Sequence, residues 1–304
     1  MGDGDGHGGS ILPGSLVSTE WLEHHLNDPR LRVVDIRGYV KTTDLGGGRQ
    51  RAEYLGAGDE YAAAHIPGAV FVDWTADITD PDDPVPAQVA PPERFAAAMA
   101  ERGIGDDTDV VVVDHVGGHF ATRLWWALRH HGHDRVAVLD GGFARWTAEN
   151  RPVTDQPASI EPASFTPRLR PELRVTAADV HEHSRTGKAL IVDARDPGQY
   201  SGAVVRGSRG GHVPGAVNIP IKGFVAENGS WKAPEELRAV LAVGGVDGER
   251  PVVAYCNGGV TATAVLFALD RAGFGRWANY DGSWNEWGER PDLPVEGWTP
   301  EEHG

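Results

Sequence analysis

A single cysteine in 304 residues excludes an intrachain disulfide and any zinc site built on several thiolates. Basic residues are also scarce: 28 Lys and Arg stand against 44 Asp and Glu, for a formal net charge of −16. A surface of that sign repels phosphate backbones, which argues against nucleic acid as a partner. A small anionic ligand would have to be held by local arginines and backbone amides. No apolar run approaches the ~18 residues that a membrane span needs, so no membrane association is expected. No phosphate-loop or dinucleotide glycine fingerprint follows a strand, and no cofactor is expected. Residues Met1 to Ser10 are rich in Gly and Asp, with no basic segment leading into an apolar one. They read as a disordered tail rather than a secretory signal, and with the lone cysteine they point to the cytoplasm.

Histidine, by contrast, is clustered: His24-His25, His130-His131-Gly132-His133 and His181-Glu182-His183. His130 and His133 have a spacing that suits metal ligands on a helix. They fall at a helix end, where an imidazole is favourable in its own right. The groups are read as surface histidines, and no metal site is expected.

The chain repeats itself. Val33-Val34-Asp35-Ile36-Arg37 returns as Ile191-Val192-Asp193-Ala194-Arg195, and His65-Ile66-Pro67-Gly68-Ala69-Val70 as His212-Val213-Pro214-Gly215-Ala216-Val217. Leu139-Asp140-Gly141-Gly142, with Trp146, returns as Tyr280-Asp281-Gly282-Ser283, with Trp287. The order is kept while the spacing drifts, as loops of unequal length in a common frame would make it. A proline-rich stretch, 156–172, separates the copies and reads as a linker. The expected domains are 11–155 and 173–304. Each half alternates short apolar runs with helical patterns: strands at 110–113, 136–139 and 252–255, a helix at 121–130, and a helix after residue 261 that Gly273 ends. The fold class is therefore α/β, with two tandem domains, each a mainly parallel sheet covered by helices on both faces.

The one cysteine, Cys256, directly follows the strand 252–255. Asn257, Gly258, Gly259, Val260 and Thr261 then lead into a helix. Glycines let such a loop curl so that amide hydrogens point inward, and the helix dipole adds to their effect. The loop would favour an anion at its centre, first a thiolate and then a persulfide. Asn257 either donates hydrogen bonds or accommodates an unusual backbone angle.

These residues together are similar to the tandem rhodanese family: a Cys loop ending Gly259-Val260-Thr261-Ala262, two His-Ile/Val-Pro-Gly-Ala motifs, and Asp-Gly-Gly/Ser with a nearby Trp. The family includes thiosulfate and 3-mercaptopyruvate sulfurtransferases, and the resemblance spans roughly residues 11–298. It implies that Cys256 is the catalytic nucleophile, with residues 257–261 cradling its persulfide. Sulfur would pass from a small anionic donor to a thiophilic acceptor such as cyanide or a thiol. The first domain would be catalytically silent, because Asp114 stands where its cysteine would be. Thiosulfate enzymes resemble Cys-Arg-Lys-Gly at the loop and mercaptopyruvate enzymes Cys-Gly-Ser-Gly. The loop here is neutral but lacks that serine, so the donor stays open.

The family's carboxylate-binding arginine precedes its Gly-His pair. Arg206 and Arg209 are the candidates, Arg209 aligning best. A second family arginine would fall at 199, where this chain has Gln199. Arg195 reads as a structural partner of Asp193. His65 is a candidate contributor across the domain interface, and His212 reads as structural. Trp284 either walls the site or packs the core. Two other kinds of function were weighed. A Cys-dependent phosphatase needs an arginine where Ala262 stands, and is set aside. A rhodanese-fold binding module, or a relay of sulfur to a protein acceptor, remains the alternative. The sequence sets no oligomeric state.

Overall fold

A computed structural model describes residues 9–297. Most of the expected N-terminal tail, residues 1–8, lies outside the described residues, as do 298–304. Ser10 is not loose: its hydroxyl donates to the Asp109 carboxylate, and Ile11 N donates to the same group at 3.1 Å.

The repeat is a repeat of topology. In the first half a five-stranded sheet runs in the order Leu16–Val17, Val136–Leu139, Asp109–Val113, Leu31–Asp35, Val70–Phe71, with every pairing parallel. In the second half the order Arg174–Val175, Trp277–Tyr280, Val252–Tyr255, Leu190–Asp193, Val217–Asn218 reproduces it strand for strand. In the central strands, residues 110–113 and 252–255 are unbroken apolar runs because both faces are buried. Residues 155–170, between the halves, carry no helix or strand.

The halves share one core. The helix His119–His130 of the first half packs on the helix Ala262–Arg271 of the second. Trp125 meets Phe267 edge-on at 5.1 Å, and the Thr122 and Thr263 hydroxyls are 3.0 Å apart. A single buried cluster runs from Val34 through this contact to Cys256 and Trp277, while smaller clusters fill the outer face of each sheet. Polar groups reinforce the contact. Arg123 and Asp281, both fully buried, pair at 2.5 Å. Arg123 also donates to the carbonyls of Gly259 and Ala87.

A long hairpin was not expected: Gly38–Gly46 pairs with Arg49–Gly56, turned by Gly46, Gly47 and Gly48 at positive φ. It leaves the first half and adds the short strand Val205–Arg206 of the second half, parallel to Arg49 and Gln50. The central histidine group also differs from expectation. His130, His131 and His133 are buried, not surface, residues. They pack as rings: His131 stacks on Phe95 at 4.0 Å and His130 on Trp126 at 5.3 Å. Burial pushes His131 down to about 4, so it stays neutral. No group of three metal-ligating side chains occurs among the described residues.

Candidate active site

Each repeated motif performs the same task twice. Asp35 accepts from Arg37, whose Nη2 donates to Ala64 O; Asp193 accepts from Arg195, whose Nη2 donates to Gly211 O. Those carbonyls precede His65 and His212. His65 stacks on Tyr61 and its Nδ1 lies 2.7 Å from Tyr61 O; His212 stacks on Tyr200 with Nδ1 2.8 Å from Tyr200 O. His65 Nε2 is 3.1 Å from Gln156 O. Both nitrogens of His65 therefore lie against backbone carbonyls, and the ring does not line the cavity beside Cys256. The expectation that His65 reaches the site is corrected: like His212, it fixes a turn.

The two strand-to-helix loops also follow one path. Gly117 and Gly259 take φ of +72° and +69°. Phe143 N donates to Asp114 O at 2.8 Å, as Trp284 N does to Cys256 O at 3.0 Å. The first-half loop displays what this path holds. The buried Asp114 carboxylate accepts from five amides, those of Val116, Gly117, Gly118, Phe120 and Ala121. The loop is an anion cradle, and in this half its anion is built in.

Cys256 occupies the same point in the second half, 3 % exposed. Its amide donates to Ser283 Oγ at 3.1 Å, and that hydroxyl donates to Tyr280 O at 2.7 Å. Ser283 sits at φ +51°, where the first copy has Gly142 at +56°. A serine there costs on the order of 1 kcal/mol, which its two hydrogen bonds beside Cys256 offset. Asn257 does not share that unusual backbone; its amide Nδ2 lies 3.1 Å from Gln199 Oε1.

Cys256 opens on a cavity of about 560 Å³ between the halves. Asn257, Gly258, Val260 and Thr261 line it, whereas Gly259 turns away to pack on Asp281. The first half contributes Tyr39 and Tyr54 from the hairpin, and His115 and His119 from the cradle loop. None of these four was singled out from the sequence. Tyr54 is held by Asn285 Nδ2 at 3.1 Å, and burial raises its phenol above the ordinary value.

Arg206 lines the cavity and Arg209 does not. Arg206 Nε donates to Gln50 Oε1 of the hairpin at 3.2 Å. Gln199 lies between Arg206 and Asn257: its oxygen accepts from Asn257 Nδ2 at 3.1 Å in one amide orientation, and from Arg206 Nε at 2.8 Å when the amide is turned. Burial lowers the Arg206 guanidinium from its ordinary value, which marks a cation with incomplete solvation. Arg195 and the exposed Lys222 also line the cavity. Arg209 instead donates to the carbonyls of Trp287, Gly288, Arg290 and Leu293. Its expected role in binding the donor is corrected: it ties down the C-terminal segment. Arg209→Ala is expected to cost about 1–3 kcal/mol in urea unfolding while changing a donor KM less than about twofold. A tenfold rise in KM without loss of stability would return it to the site. Arg195 pairs with Asp193 at 2.6 Å and lies 4.3 Å over Trp284, which packs in the core.

The comparisons agree with this architecture. A family model for the rhodanese-like domain matches residues 18–149 and again 176–290. The 3-mercaptopyruvate sulfurtransferase of Escherichia coli K12 is 36% identical over 284 residues, covering 92% of this chain and 97% of its own. The thiosulfate sulfurtransferase of Rattus norvegicus is 37% identical over 297 residues, covering 94% and 96%. The crystal structure of SseA from Escherichia coli, described as a 3-mercaptopyruvate sulfotransferase with the rhodanese fold, superposes with a TM-score of 0.76 at 33% identity. It covers 89% of this chain and 98% of its own. With the fold repeated in both halves and one cysteine loop between them, the chain belongs to the rhodanese family of sulfurtransferases.

Proposed function

We propose that the chain moves sulfane sulfur from a small anionic donor to a thiophilic acceptor, cyanide or a thiol, through a persulfide on Cys256. The observation that carries this reading is the pair of cradles. The same loop path draws five amides onto a carboxylate in the first half and presents the only cysteine in the second. A persulfide anion is the second-half counterpart of the Asp114 carboxylate. Residues 11–155 then form a silent domain, 156–172 a linker and 173–304 the catalytic domain. The silent domain still supplies one wall of the cavity.

The Cys256 thiolate attacks the donor's outer sulfur, the donor residue leaves, and the acceptor then removes that sulfur. Arg206 holds the donor's anionic group, with Gln199 and Asn257 beside it. A cysteine that must cycle between thiol and persulfide suits a reducing compartment, and we place the protein in the cytoplasm. No helix of the described residues is long and apolar enough to cross a membrane. Two half-reactions sharing one carrier give parallel double-reciprocal plots when donor and cyanide are varied together. Intersecting lines would contradict the scheme. Arg206→Gln is expected to raise the donor KM about tenfold with a smaller effect on kcat, because one charge-assisted contact is lost. An unchanged KM would remove Arg206 from the donor site.

A further inference from the structure

The first half's cradle loop brings an imidazole to the cysteine's cavity. His119 opens the helix His119–His130 and lines the cavity together with Cys256. Unlike His65 and His212, whose Nδ1 atoms lie against backbone carbonyls, His119 has no partner at Nδ1 among the described residues, although that atom is buried. No hydrogen bond ties its Nε2 either, so nothing among the described residues fixes its tautomer. Phe120 meets the ring edge-on at 5.8 Å. Asp114, Asp196 and His115 are the charged and titratable groups that act on it: burial, aided by His115, outweighs the two carboxylates and lowers the imidazole from its ordinary value, which keeps the ring neutral.

Donors of the two kinds make different demands on such a group. When thiosulfate gives up its outer sulfur, the S–S bond breaks, its electron pair leaves with sulfite, and no proton moves. A donor of the 3-mercaptopyruvate kind is a thiol on the carbon next to a ketone. As the Cys256 sulfur bonds to the donor sulfur, the S–C bond breaks and its pair passes to carbon as the pyruvate enolate. Both sulfurs are oxidised and the carbon is reduced. The thiol proton must leave, and the enolate carbon must gain one to become methyl. One proton carried from sulfur to carbon closes the balance with no outside reagent.

We infer that His119 carries that proton, and that the cavity is therefore built for a thiol donor bearing an α-keto acid rather than for thiosulfate. The inference rests on the persulfide reading above. A neutral imidazole takes the thiol proton and returns it to carbon, and Arg206 holds the carboxylate meanwhile. The neutral cysteine loop fits a donor with one negative charge better than a dianion.

The test is single-turnover loading of Cys256 by 3-mercaptopyruvate and, separately, by thiosulfate, in the wild type, His119→Asn and His119→Gln. Both variants keep a hydrogen-bonding amide but cannot relay a proton. Loading from 3-mercaptopyruvate is expected to fall about 10²-fold. Loading from thiosulfate is expected to fall no more than about threefold, and it reports that the same preparation is folded. Equal losses with both donors would make His119 a shaping residue and overturn the inference, as would no loss with either. A wild type that loads from neither donor would overturn the persulfide reading itself, and this inference with it.

Discussion

Cys256→Ala is expected to reduce sulfur transfer to the uncatalysed background, a loss of at least about 10⁴-fold in kcat with either donor. No other side chain in the protein is able to hold a sulfane sulfur in a thiol, since Cys256 is the single cysteine. The first half offers no substitute, because its cradle is filled by the Asp114 carboxylate. The loss should come without unfolding. The cysteine is buried, but its loop is positioned by backbone contacts that alanine keeps: Trp284 N to Cys256 O, and Asn285 N to Asn257 O. Thermal unfolding and cyanide-coupled turnover on one preparation check both halves of the expectation. Turnover above about 1% of wild type would place the chemistry elsewhere.

The second large effect concerns the contact between the halves. Arg123→Met is expected to destabilise the protein by about 3 kcal/mol. The substitution leaves Asp281 buried with a weaker partner, Arg174, at 3.3 Å. That remaining contact sets the cost at the lower end of the range for breaking a buried pair. Asp281 also accepts from Val89 N at 2.8 Å, so its charge organises a segment of the first half as well. The Gly259 carbonyl loses a donor at 3.2 Å, and the cysteine loop should loosen with it. Turnover should therefore fall in Arg123→Met even at temperatures where it remains folded. Urea unfolding is the check: a loss below about 1 kcal/mol would mean that the buried pair contributes little to holding the halves together.

What the sequence disclosed follows from how locally each feature is encoded. The strands 136–139 and 252–255 were legible because strands buried on both faces are apolar throughout. The cysteine loop was legible because a strand, a glycine turn and a helix succeed one another within a few residues. The hairpin 38–56 was not, because its first strand is exposed from Tyr39 onward, its second alternates only between exposed and half-buried with no apolar run, and its third strand lies some 150 residues away. Only Gly46-Gly47-Gly48 between two β-prone runs could have signalled it.

Counting back from Gly210-Gly211-His212 ranked Arg209 above Arg206, and the structure reverses that order. The difference is that Arg206 sits in the strand joined to the hairpin, while Arg209 lies beyond Gly207, which turns at φ +90°. His130, His131 and His133 were misjudged because imidazole was treated as a charge, whereas here it packs as a neutral ring. His119 went unnoticed because its significance depends on a cavity formed with the other half.

The most direct measurement of the central claim is intact mass. The protein is incubated briefly with 3-mercaptopyruvate, and separately with thiosulfate, and then treated with cyanide. The expected result is a gain of about one sulfur mass, removed by cyanide and absent from Cys256→Ala. No gain from either donor, or a gain that survives in Cys256→Ala, would contradict the Cys256 persulfide.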